Sequence, residues 1–164
     1  MSAAKDLFLV GLRNAYAMES QAREMLERQA GRLEKYPEIK EMIDLHLRET
    51  NQQIERLDQC LKSFEESPST VKNVTQSMVG NLAALAHTMA DDEVLKNTFA
   101  NNAFENFEIA AYRSLIALCD AAGAGKCKTL LTESLREEEK MAAWVVANVE
   151  NATMAFLERE KKAA

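Results

Sequence analysis

The chain has 164 residues, a formal net charge of −6 and 47% hydrophobic residues, with only five glycines and two prolines. That length suits one domain, residues 1–164, with a sizeable core, and the composition favours an all-α protein over a β-rich one. The acidic balance and the lack of a basic patch argue against a nucleic-acid partner, and no apolar run approaches the ~18 residues of a membrane span.

The start, MSAAKDLFLVGLRNAY, lacks the basic segment and continuous apolar run of a secretion signal. Cys60, Cys119 and Cys127 lack paired zinc-site spacing and read as buried free thiols. A reducing, cytoplasmic setting is the expectation.

The first helical run covers roughly 3–32, with Leu12, Tyr16, Glu19, Leu26 and Ala30 on one stripe. Gly31 and Pro37 bracket its end. The second covers roughly 37–66, with a stripe through Ile39, Met42, His46, Glu49, Gln53, Leu57, Cys60 and Phe64. ESPST then makes the clearest break in the chain. A shorter helix follows over roughly 71–90, carrying Val74, Met78, Leu82, Leu85 and Met89 on one side. Asp91 or Asp92 can cap a third long helix over roughly 92–122. It ends at AAGAGK, where Gly123 and Gly125 supply left-handed conformations. The fourth long helix covers roughly 125–159, with Leu131, Leu135, Glu138, Ala142, Val145, Val149 and Phe156 in line.

Short links make two antiparallel hairpins of the long helices. The connection between the hairpins carries its own helix, long enough (~30 Å) to run the length of a bundle. The expected fold is therefore a ferritin-like four-helix bundle with a long crossover carrying a fifth helix. An irregular five-helix bundle fits the same periodicity.

Each long helix also places an acid inside its apolar stripe: Glu19, Glu49, Glu105 with Glu108, and Glu138. The estimated helix midpoints, about 17, 51, 107 and 142, put every one of these acids within ~6 Å of its helix centre. Near-central residues on packed helices meet at one height whichever way each helix runs. Carboxylates gathered there, away from water, repel one another unless protonated or neutralised. Two divalent ions remove most of that penalty, and oxygen donors suit first-row metals such as iron or manganese. The competing reading makes each acid a surface group at the stripe edge, paired with Lys or Arg. His46, one turn before Glu49, could itself be a ligand, but reads first as a core histidine or one that supports a ligand. Tyr16 and Tyr112 are placed to hydrogen-bond a carboxylate. Arg48, Arg56, Arg113 and Arg136 are available to offset acid charge. No phosphate-binding loop and no nucleophile–histidine signature is present.

The segments YAMESQ (16–21), HLRETNQQIERLDQ (46–59), FENFEIAAY (104–112) and LREEEK (135–140) resemble the YciE/YciF family of ferritin-like bacterial proteins. The likeness runs along nearly the whole chain. It implies a bundle related to rubrerythrin, with a two-metal carboxylate site, in a stress-associated homodimer. It implies Glu19 as the ligand of the first helix and Glu49 as the bridging carboxylate of the second. Gln53 falls where relatives carry His or Gln, and Glu105 with Glu108 matches the pair on the third helix. On the fourth helix Glu138 is the first choice because it is in phase with Leu131, Leu135 and Ala142, and Glu137, one residue out of phase, is the fallback. The expected metals are two first-row ions, iron before manganese. The usual Glu-x-x-His pairs are missing, since Gln52 follows Glu49 and Met141 follows Glu138 at that spacing. The expected function is reaction with peroxide or dioxygen, or oxidation of ferrous iron. The alternative is a non-catalytic dimeric stress or interaction module.

Overall fold

The computed structural model describes residues 2–66 and 93–163. They form four α-helices: α1 (Ala3–Ala30), α2 (Pro37–Lys62), α3 (Glu93–Leu118) and α4 (Gly125–Ala163). The four long runs read from the sequence are these helices. The expected helix over 71–90 and the cap at Asp91 or Asp92 lie outside the described residues. No described helix is long and apolar enough to cross a membrane.

Local chemistry sets the helix ends. Ser2 opens α1 by accepting a hydrogen bond from the Lys5 backbone N–H (3.3 Å). Pro37 opens α2, where its missing N–H costs nothing. α2 and α3 close the same way. The Glu66 N–H reaches Leu61 O and the Glu65 N–H reaches Lys62 O, while Ala124 and Gly123 repeat the pattern on Cys119 and Asp120. This closure puts one residue in the left-handed region. Gly123 takes it at φ 70°, as expected, but after α2 the residue is Glu65 at φ 62°. Gly125, expected to share the left-handed role, is instead the first residue of α4 and is not among the residues with positive φ.

Contacts between named residues fix the topology. Gln29 on α1 and Asn101 on α3 exchange two hydrogen bonds of 2.9 Å, and the Tyr112 hydroxyl donates to Glu19 at 2.6 Å. Position 29 thus meets 101 and position 19 meets 112, so α1 and α3 are antiparallel. On the other side, Lys140 meets Glu49 and Cys127 meets Ser63, so α2 and α4 are antiparallel too. α1 and α4 each pack against both α2 and α3. Neighbouring helices therefore run in opposite directions and diagonal ones run the same way. Glu66 ends up beside Arg13, near the start of α1, whereas Glu93 pairs with Arg32, just past the end of α1. The chain leaves α2 at one end of the bundle and enters α3 at the other, as the ferritin-like connectivity requires.

The core has two apolar halves. Phe8, Leu12, Leu57, Leu61 and Leu115 fill one, and the free thiols of Cys60, Cys119 and Cys127 are buried with them. Leu26, Leu33, Ile43, Met141 and Val145 fill the other. Polar residues from all four helices occupy the level between them.

Candidate metal centre

Five of the acids and amides expected to face inward are buried in that middle level. Glu19, Gln53 and Glu138 are fully inaccessible, Glu108 is 1% exposed and Glu105 2%. α3 presents Glu105, Glu108 and Tyr112 one turn apart, so all three face the bundle axis. α2 presents His46, Thr50 and Gln53 in the same way. One ligating atom from each of His46, Glu105, Glu108 and Glu138 lies within 4.8 Å of the other three. His46 Nε2 is 3.3 Å from Glu105 and 3.4 Å from Glu138, while Nδ1 is 3.4 Å from Glu49.

Much of this oxygen lacks a hydrogen bond, although Glu105 Oε2 and Glu138 Oε2 face His46 Nε2. Among the described residues, nine buried side-chain polar atoms lack a hydrogen bond, and seven are oxygens of Glu19, Gln53, Glu105, Glu108 and Glu138. Buried polar groups are ordinarily paired, because an unpaired one costs about 1–3 kcal/mol. This concentration of orphaned oxygens fits a cation, as do the donor types: carboxylates, an amide oxygen and one imidazole nitrogen suit iron or manganese.

The electrostatics of the ion-free protein agree. Burial pushes Glu108 and Glu138 well above the usual carboxylate range, and repulsion from Glu19 and Glu105 adds to it. Burial lifts Glu19 to about 8 against the lowering effect of the Tyr112 hydroxyl. Burial also disfavours charge on His46, but Glu105, Glu49 and Glu138 outweigh it and hold the imidazole well above its ordinary value. Without a metal, burial and mutual repulsion favour protons on Glu19, Glu108 and Glu138, and the surrounding acids favour an imidazolium at His46.

Residues 3–158 match the family described as a domain of unknown function, DUF892. The chain belongs to the DUF892 family. It is 30% identical to protein YciF of Escherichia coli strain K12 over 150 residues, 85% of this chain and 86% of that protein. A crystal structure of a protein from Xanthomonas campestris pv. campestris is 33% identical and has a TM-score of 0.79, covering 96% of this chain and 99% of that one. YcfI of Rhodopseudomonas palustris, described as a putative structural protein, is 28% identical with a TM-score of 0.70, covering 88% and 94%. The structure of YciF, described as an E. coli stress protein, shares the fold at a TM-score of 0.73 and covers 93% and 98%. The YciF-like resemblance read from the sequence is thus correct.

Two positions in this DUF892 chain sit differently from the sequence reading. Glu49 is at the rim, 16% exposed, with its oxygens 3.4 Å from His46 and 3.3 Å from Lys140. The α2 stripe that faces the axis runs through Ile43, His46, Thr50, Gln53 and Leu57, so Glu49 falls one position outside it. His46, by contrast, is central. Among the described residues it is the one histidine, and its place in a stripe with the acids was the signal available for it. Glu137 accepts from Arg56, outside the cluster, and from the NH₂ end of Gln53. Tyr112 bonds a carboxylate as expected, and that carboxylate is Glu19.

Proposed function

We propose that this chain is a ferritin-like carboxylate protein that holds two first-row metal ions, iron before manganese, in its middle polar level. In that reading it reacts with peroxide or dioxygen, or oxidises ferrous iron, as a cytoplasmic bacterial stress protein. The carrying observation is the set of seven buried oxygens without a hydrogen bond on five side chains, two of which, on Glu105 and Glu138, face His46 Nε2 at 3.3 and 3.4 Å. Seven such oxygens and an imidazole exceed the roughly six donors that one octahedral ion takes.

Glu19, Gln53, Glu105, Glu108 and Glu138 supply the oxygens and His46 the nitrogen. The bound ions would supply electrons to a small oxidant and polarise it. Glu49 takes the hydrogen on His46 Nδ1, which leaves Nε2 free to face the ions, the arrangement in which outer carboxylates orient metal-bound histidines. In this reading Glu49 and His46 exchange the roles expected from the sequence. Tyr112 holds one oxygen of Glu19 and leaves the other for an ion.

The test is metal content per chain by elemental analysis, after expression in medium supplemented with iron and manganese. Two first-row ions per chain, lost in Glu108→Ala/Glu138→Ala, are expected. Ferrous-loaded protein then shows an absorbance change on adding peroxide or oxygen. A folded wild type without metal would sink the reading.

The description of the R. palustris relative as a structural protein favours a second reading, a structural module in which any metal only holds the bundle together. Activity abolished by chelation, with melting temperature and assembly state unchanged, decides against it. In either reading we propose a homodimer. Its support is the apolar groove between α1 and α3, where Leu7, Val10 and Phe107 are 57%, 48% and 39% exposed. Size-exclusion chromatography with light scattering checks it.

A further inference from the structure

Gln53 is the amide among the buried oxygens of this level, and its side chain presents opposite chemistry at its two ends. The oxygen can bind a cation; the NH₂ cannot. The two ends are nearly the same size, so shape does not choose between them. We propose that Glu137, clamped by Arg56, is a positioning residue that turns the Gln53 amide so that its oxygen faces the metal cluster. The proposal rests on the metal reading above.

The geometry is specific. Glu137 Oε2 lies 3.0 Å from Gln53 Nε2 and 2.6 Å from Arg56 Nη1, and Glu137 Oε1 lies 2.9 Å from Arg56 Nη2. A carboxylate gripped at both oxygens by a guanidinium is an acceptor only. It takes the NH₂ end of Gln53 and repels the oxygen end, so the amide orientation is decided by partner chemistry. The far end, Gln53 Oε1, is buried and has no hydrogen-bond partner. It shares the inward stripe with His46.

The clamp is itself anchored. Arg56 is buried, and it also reaches Ser134 at 3.3 Å and Glu133 at 2.9 Å. Burial works against its charge, and Glu137 and Glu133 more than restore it. Gln53 and Arg56 lie three residues apart on α2, so one turn of helix grips Glu137 of α4 from two sides. The same logic recurs at His46, whose outer nitrogen faces Glu49.

The test is a double-mutant cycle on Mn(II) affinity, read from the disappearance of the free-ion electron paramagnetic resonance signal. Gln53→Leu removes the amide, and Glu137→Gln removes the rule that orients it while keeping the shape. Each single variant should weaken binding by roughly 10–100-fold. In the Gln53→Leu background, Glu137→Gln should add almost nothing. Gln53→Glu/Glu137→Gln should restore affinity, because the new amide donates to the new carboxylate and leaves it an oxygen for the ion. Wild-type affinity in Glu137→Gln overturns the proposal. So does a Glu137→Gln loss that persists in full without Gln53, since Glu137 would then act by charge or packing alone. If Glu137→Gln does not fold, Arg56→Lys takes its place in the cycle, with the same outcomes. A folded wild type that binds no Mn(II) or Fe(II) refutes the metal reading and the proposal with it. Tight wild-type binding with an additive cycle refutes the proposal only.

Discussion

The Tyr112 hydroxyl is the only hydrogen-bond partner that the buried Glu19 carboxyl finds among the described side chains. Tyr112→Phe leaves a second Glu19 oxygen unpaired at no cost in volume. The ion-free protein is expected to lose about 1–3 kcal/mol in urea denaturation. An unchanged midpoint would mean that water had replaced the hydroxyl. At the cluster itself, His46→Gln should weaken Mn(II) binding more than Glu49→Gln does. The reverse order would restore Glu49 as the inner ligand. These two residues mark how finely the sequence can be read at this scale. Glu19, Gln53, Glu105, Glu108 and Glu138 were legible as inward-facing because each sits mid-stripe in a long, strongly periodic helix. Glu49 lies nearer the rim than its stripe suggested because the apolar positions of α2 fit two stripes one residue apart. Thr50, fully buried, is what distinguishes them, and a threonine carries little weight in a hydrophobic pattern.

Among elements, the pairing of α1 with α3 is the part that periodicity could not specify. Their relative height is pinned by the reciprocal Gln29–Asn101 amide bonds, both residues being about 95% buried (5% and 4% exposed). A single Asn101→Leu orphans a buried amide and should cost about 1–3 kcal/mol in thermal or urea unfolding. Gln29→Leu/Asn101→Leu should recover most of that loss, because two apolar groups then face each other. Neither amide was singled out from the sequence, since an isolated Gln or Asn in a stripe resembles an edge position. Helix ends were legible where Gly123 gave the signal. They were obscure after α2, where exposed Glu65 adopts φ 62° with no glycine to announce it. Glu65→Gly relieves that conformation and should raise stability by roughly 0.5–1 kcal/mol, measured by urea midpoint. A loss would show that Glu65 makes a compensating surface interaction.

For the whole molecule, the divided core makes stability depend on pH in a direction set by the cluster. Burial raises Glu19 to about 8, and Glu108 and Glu138 well above the ordinary carboxyl value of 4.5, so the folded, ion-free chain holds protons that the unfolded chain releases. That contribution is fully present below about pH 4.5 and is lost as the pH rises toward 8. His46, held above its usual 6.5, acts in the same sense. The ion-free protein should therefore melt at a lower temperature at pH 8 than at pH 5. The loaded protein should diverge from it upward over the same interval, because ligands must be deprotonated to bind. Matched melting curves at the two pH values check both trends. The orphaned oxygens then have a thermodynamic signature of their own. In the proposed metal reading, uptake would exchange a doubly charged ion for several protons, so the solution around the protein would absorb what the bundle expels. The heat of Mn(II) binding near neutral pH should change from one buffer to the next in proportion to each buffer's ionisation enthalpy, and the slope of that line counts the protons that stood in for the metal.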